Sequence, residues 1–296
     1  MSKFAWALVG LSLALIIVSF GLEVVERSIF PVWEPNYFSE NPASEGPYNY
    51  QERVFENNKK IDGTTFDITL FYPTGLDEPL PGFVWLVGSN VQAYYQQSLH
   101  ETLASWGYMV IVPESPPFSF TDTSYHQDIL LLASEAIDMA LSGEFGSEVD
   151  ETRLAAGGYS TGASLAAFLA GRRSEIDGLV YWAPSGSPYW LGINEKVLYS
   201  RVTQPALYVL GGSDVNAPPS GGYPDTMQKM MPNSFYEEAV IKNGQHHFFQ
   251  QPTGADKFSI SDSPGITRYE QQGRAIDITR EWLKELTGDS KNLQHS

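Results

Sequence analysis

Cysteine is absent from the 296 residues, which excludes disulfides, thiolate metal sites, a cysteine nucleophile and a lipid-modified cysteine together. Cations are scarce. There are 18 Lys plus Arg against 35 Asp plus Glu, for a formal net charge of −17. No Lys/Arg run occurs, so the clustered positive charge that phosphate contact requires is missing and nucleic acid is excluded as a partner. No grouping of His, Asp and Glu suggests a metal site, and no cofactor motif is legible. What the chain does have is apolar substance, 42% hydrophobic with 13% aromatic residues, which argues for a packed core and against disorder.

The long uncharged run lies at the N-terminus. Lys3 is followed by Phe4 to Leu22 without a charge, and Glu23 ends the stretch. As a helix it would rise about 28 Å, close to the roughly 30 Å of a bilayer's hydrocarbon core. It exceeds the apolar region of a secretory signal, and Val18-Ser19-Phe20-Gly21-Leu22 offers no good cleavage pattern. Residues 1–24 are therefore expected to be a membrane anchor or, in the rival reading, a cleaved signal. Both readings export the remainder, as a membrane-anchored or a secreted protein. Residues 25–52, rich in Pro, Asn, Ser and Glu, read as a linker to one domain spanning 53–296.

In that domain short apolar runs alternate with helix-period segments, the pattern of an α/β fold with a mostly parallel sheet covered on both faces. Strands are expected at 65–73, 82–87, 108–112, 153–158, 178–182, 206–210 and 235–241. Helices are expected at 97–106, 126–141, 164–171 and 266–286. Two insertions, 185–202 and 217–233, are placed to cap a pocket.

One motif carries chemistry. Gly158-Tyr159-Ser160-Thr161-Gly162 fits G-x-S-x-G, with a buried strand before it and a small-residue helix after it, the strand–turn–helix setting this motif requires. Ser160 is the candidate nucleophile, and a serine hydroxyl needs a base to take its proton. Of five histidines, His100 and His126 precede Ser160 and His295 lies in the tail. The adjacent His246 and His247, in a loop after the last strand, are left as the candidates. Asp214, directly after the strand 206–210, is the candidate acid; Asp225 and Glu238 are less well placed. Two main-chain N–H groups suited to an oxyanion are expected at Thr161 and at Ser89, in the loop after the strand 82–87.

These residues give the chain a resemblance to the α/β-hydrolase family over about residues 50–287. Within it the chain resembles the dienelactone-hydrolase, acetylhydrolase and cutinase-like polyester-hydrolase branch. The likeness rests on Phe71-Tyr72-Pro73-Thr74, Val87-Gly88-Ser89, Ala104-Ser105-Trp106-Gly107-Tyr108, Gly158–Gly162, Ala183-Pro184, Gly212-Ser213-Asp214 and Gly244–Phe248. The resemblance implies an eight-stranded α/β-hydrolase fold and carboxylic-ester hydrolysis through an acyl-enzyme, without a cofactor. Its G-x-x-H-F pattern selects His247 as the base beside Ser160 and Asp214. The sequence departs from the branch in having Tyr159 and Thr161 around the serine.

Aromatic residues near the expected site (Tyr94, Tyr95, Tyr189, Trp190 and Phe248) are candidates for lining a substrate pocket, whereas Trp182, on a strand, reads as core. The acidic surface favours a neutral ester, small or polymeric, as substrate. The alternative is a non-catalytic protein of the same fold used for binding.

Overall fold

A computed structural model of the chain describes residues 43–61, 64–89, 91–114, 123–186, 195–251 and 265–288. The hydrophobic N-terminal segment 1–24 lies outside them. Among the described residues no helix is long and apolar enough to cross a membrane.

The sheet has eight strands: β1 (Tyr50–Ile61), β2 (Thr64–Pro73), β3 (Leu80–Leu86), β4 (Met109–Glu114), β5 (Val149–Tyr159), β6 (Gly178–Trp182), β7 (Ala206–Gly211) and β8 (Tyr236–Ile241). They lie in the order β1-β2-β4-β3-β5-β6-β7-β8. β1 and β2 pair antiparallel, as do β2 and β4; every pairing from β4 to β8 is parallel. Among the described residues six α-helices accompany it: α1 (Gln97–Ser105), α2 (Thr123–Leu141), α3 (Thr161–Ala170), α4 (Glu195–Tyr199), α5 (Tyr223–Met230) and α6 (Arg268–Leu286). The α/β class and the mostly parallel sheet agree with the expectation from sequence.

Parallel strands need crossover connections, and these put helices on both faces and bury the strands. The period of two then divides the core. Val84, Leu86, Leu154, Ala156, Leu179, Tyr181, Tyr208 and Leu210 face one layer with α2 and α3. Phe83, Trp85, Ala155, Val180, Trp182, Leu207 and Val209 face the other, against α1 and α6. α6 starts at a capping box, in which the Glu270 N–H donates to the Thr267 side chain and the Thr267 N–H donates to Glu270.

β1 begins at Tyr50, inside the expected linker, and no strand was expected there. Gln51 to Val54 are exposed, because an edge strand with a wet face needs no apolar alternation. The insertion at 217–233 contains α5, and α4 occupies the end of the other insertion.

The C-terminal ends of β3, β5, β6, β7 and β8 share one rim. Crevices outside the carboxyl ends of parallel strands are where open α/β sheets hold ligands.

Beneath the sheet's other layer, His100 of α1 is fully buried, with its ring 5.2 Å from Phe71 and both ring nitrogens without a hydrogen-bond partner among the described residues. Burial lowers its pKa from 6.5 to about 3, since a charged imidazole loses its hydration there. The unfolded chain takes up this proton near 6.5, whereas the fold resists it down to about 3. Stability present above the unfolded value is therefore lost as pH falls across that window. Urea unfolding at pH 7, 5 and 4 is expected to show a shallower loss of stability in His100→Leu than in the wild type; parallel slopes would contradict this.

Candidate active site

β5 runs buried into Ser160, whose backbone sits at φ 54° and ψ −121°, a conformation that an L-residue with a side chain rarely adopts. Thr161 then opens α3. Glycines on either side make the turn possible. A Cβ on Gly158 would lie 2.4 Å from the Gly162 carbonyl carbon, and one on Gly162 would lie 2.0 Å from the Leu86 carbonyl oxygen. The turn is held by the Ser160 N–H donating to the Trp182 carbonyl at 2.9 Å. The other non-glycine residues with positive φ among those described, Ala183 and Asn243, lie on the same rim, after β6 and β8.

Asp214 follows β7 and is 3% exposed. Its Oδ1 accepts the backbone N–H groups of Asn216 and Ala217, both at 2.8 Å. Its Oδ2 faces His246 Nδ1 at 2.8 Å. A carboxylate can only accept, so Nδ1 carries the proton and Nε2 is left as an acceptor. Nε2 lies 3.0 Å from Ser160 Oγ. The three side chains thus form one hydrogen-bonded chain, which with a single proton on the ring directs the serine O–H at Nε2.

The imidazole in this chain is His246, which corrects the expectation of His247. The two residues stand in one turn of 3₁₀ helix, His246–Phe249, where successive side chains point about 120° apart, so only one of the pair can face the serine. His247 is exposed, and its ring lies edge-on to that of His246. The register is set by backbone clamps before the turn. Gly212 N–H donates to the Ile241 carbonyl and Ser213 N–H to the Gly244 carbonyl, each at 2.8 Å. Gln271 of α6 grips the Gln245 backbone at both ends: its Oε1 accepts the Gln245 N–H and its Nε2 donates to the Gln245 carbonyl, each at 2.8 Å. Tyr159 OH donates to the His246 carbonyl at 3.1 Å. The hydrogen-bonding roles of Gln271 and Tyr159 went unnoticed in the sequence; a polar residue on the inner side of α6 was the signal for Gln271.

The two expected oxyanion positions meet. Ser89 Oγ and Thr161 Oγ1 are 3.0 Å apart. Gly88 lies so close that a Cβ there would come within 3.1 Å of Tyr159 and 3.2 Å of Ser160 Cβ. Thr161, as the first residue of α3, has an N–H with no intrahelical acceptor. Beyond Ser89 the chain is anchored by Glu114 at the end of β4, which accepts the Ala93 N–H at 3.0 Å and the Thr69 hydroxyl. Burial raises the Glu114 carboxyl above its ordinary value. Buried Gln96 joins β3 to the turn that bears His246: its Oε1 accepts Trp85 Nε1–H at 2.7 Å, and its Nε2 donates to the Phe249 carbonyl at 3.2 Å.

The aromatic candidates separate. Tyr95 is 5% exposed and its carbonyl accepts the Gln251 N–H at 2.7 Å, which makes it part of the core. Tyr94 is 38% exposed, its ring tilted against that of Tyr95. Phe248 is buried beneath the Arg268 guanidinium. Tyr189 and Trp190 lie outside the described residues. Trp182 is core, as read from the sequence, with Nε1–H donating to Thr279 Oγ1 at 2.9 Å.

No protein-family model matches the chain, and no curated protein matches it.

The close approach at the turn is directly testable. Gly162→Ala must push backbone apart and is expected to lower unfolding free energy by about 2–3 kcal/mol, read by chemical denaturation. A change within about 0.5 kcal/mol would contradict a contact this tight.

Proposed function

We propose that the chain is a serine hydrolase of the α/β-hydrolase type that cleaves neutral carboxylic esters through an acyl-enzyme. The observation that carries this reading is the directed chain Asp214–His246–Ser160, with Nδ1–Oδ2 at 2.8 Å and Nε2–Oγ at 3.0 Å. The strand–turn–helix around Ser160 and the adjacency of Ser89 and Thr161 support it. The sheet order and the position of each group at a strand end support the family.

His246 Nε2 takes the Ser160 proton as Oγ attacks the ester carbonyl. Asp214 holds the tautomer and stabilises the imidazolium. The backbone N–H groups of Ser89 and Thr161 are the assigned donors to the oxyanion, where preorganised amides are worth most because they need not reorient during reaction. His246 then protonates the leaving alcohol, and water repeats the sequence on the acyl group. The net charge of −17 disfavours anionic substrates.

A fluorophosphonate probe is expected to label the wild type and not Ser160→Ala. With p-nitrophenyl esters of rising chain length, His246→Ala is expected to lose about 10⁴-fold or more in kcat, and His247→Ala to stay within about threefold of wild type. Folded wild-type protein that neither labels nor turns over esters would favour a non-catalytic binding protein. A larger loss in His247→Ala than in His246→Ala would return the base to His247.

A further inference from the structure

The Ser160 hydroxyl has a second neighbour that the triad does not explain. Ser185 Oγ lies 2.7 Å from Ser160 Oγ, closer than the imidazole. The contact is built in by the backbone. β6 ends at Trp182, and Ala183 takes φ 42°, which turns the chain across the rim over Ser160. There the Ser185 N–H donates to the Ser160 carbonyl at 3.1 Å, and Ser164 Oγ, one turn into α3, donates to the Ser185 carbonyl at 3.0 Å. Gly186 follows in close contact, since a Cβ there would sit 3.0 Å from Ser164 Oγ. Ser185 is thus tied to the nucleophile's own turn on both sides of its peptide.

The direction of the hydrogen bond follows from the neighbouring ones. Oδ2 of Asp214 fixes the proton on Nδ1, so Nε2 accepts and the Ser160 O–H is committed to it. Ser160 Oγ can then only accept from Ser185, and Ser185 is the donor.

We propose that Ser185 is a fourth catalytic residue, a hydroxyl donor to Ser160 Oγ whose main effect is on the second half of the reaction. The proposal rests on the ester-hydrolase reading above. In the free enzyme the bond to Oγ is already made, so attack on the ester gains little from it. In the acyl-enzyme Oγ is an ester oxygen, a poorer acceptor. Water attack transfers a proton to Nε2 and forms the second tetrahedral intermediate. When that collapses, the C–Oγ bond breaks, its electron pair returns to Oγ, and Oγ recovers a proton from Nε2. A donor already aimed at Oγ stabilises the charge that appears there during this departure. Only interactions that strengthen between ground and transition state accelerate a step, so deacylation benefits more than acylation.

The test is stopped-flow hydrolysis of p-nitrophenyl acetate, with each sample's active fraction titrated by the fluorophosphonate probe so that misfolded protein is not counted. Ser185→Ala is expected to slow steady-state deacylation about tenfold, the worth of one neutral hydrogen bond, while the burst rate stays within about threefold of wild type. Acyl-enzyme should then accumulate to a larger burst. Ser185→Thr, which keeps the donor, is expected to restore the wild-type ratio of the two rates. Equal losses in both steps, no loss in either, or a Thr variant with the Ala ratio overturns the role of Ser185 while leaving the hydrolase reading standing. Folded wild type that does not label removes both.

Discussion

The rim of the sheet depends on how closely the turn after β5 lies against the end of β3. The carbonyls of Leu86 and Val87 occupy the volume that a Cβ on Gly162 would need. This contact lets α3 begin directly beneath the strand ends, and it forces the intervening Ser160 into its positive-φ conformation. The strain of one such residue, on the order of 1–3 kcal/mol, is set against the packing of a buried parallel sheet. What it achieves is placement. The Oγ stands above the strand ends, and Ser89 and Thr161 become neighbours because the β3 loop and the first turn of α3 have nowhere else to go.

The second organising element is a direction and not a distance. Two backbone amides fill one oxygen of Asp214, so the carboxylate presents the other to His246 in a single orientation. With a single proton on the ring, proton positions along the rim follow in sequence: Nδ1 donates, Nε2 accepts, Ser160 donates to it, and Ser185 donates to Ser160. Each bond is ordinary in strength. Their common orientation is what distinguishes this rim from a chance cluster of polar groups, since with one ring proton the reversal of any one bond would leave two donors or two acceptors facing each other.

Much of this is legible in the sequence. Apolar runs such as 82–87 and 206–210 mark strands buried on both faces, and glycines flanking a serine mark a turn without room for side chains. Asp214 was readable from its position just past such a run. The missing parts had physical reasons. β1 carries Glu52 and Arg53 on an exposed edge and has no hydrophobic period to read. The choice between His246 and His247 depended on the phase of a single turn of 3₁₀ helix, which is set by Gln271 and the glycines at 211, 212 and 244 from distant parts of the chain. Ser185 lies in a segment without periodicity, and only the left-handed turn at Ala183 brings it to the nucleophile.

Gln96 has a mechanical consequence. Its amide joins the indole of Trp85, in β3, to the carbonyl of Phe249, at the end of the turn that bears His246. In a dry interior neither half of that amide has water to turn to. The strand that leads to Ser89 and the turn that carries His246 are thereby riveted to a common post. Displacement of either drags the other along, and the spacing between proton acceptor and strand end behaves as a rigid dimension of the molecule, not as a product of two independent fluctuations.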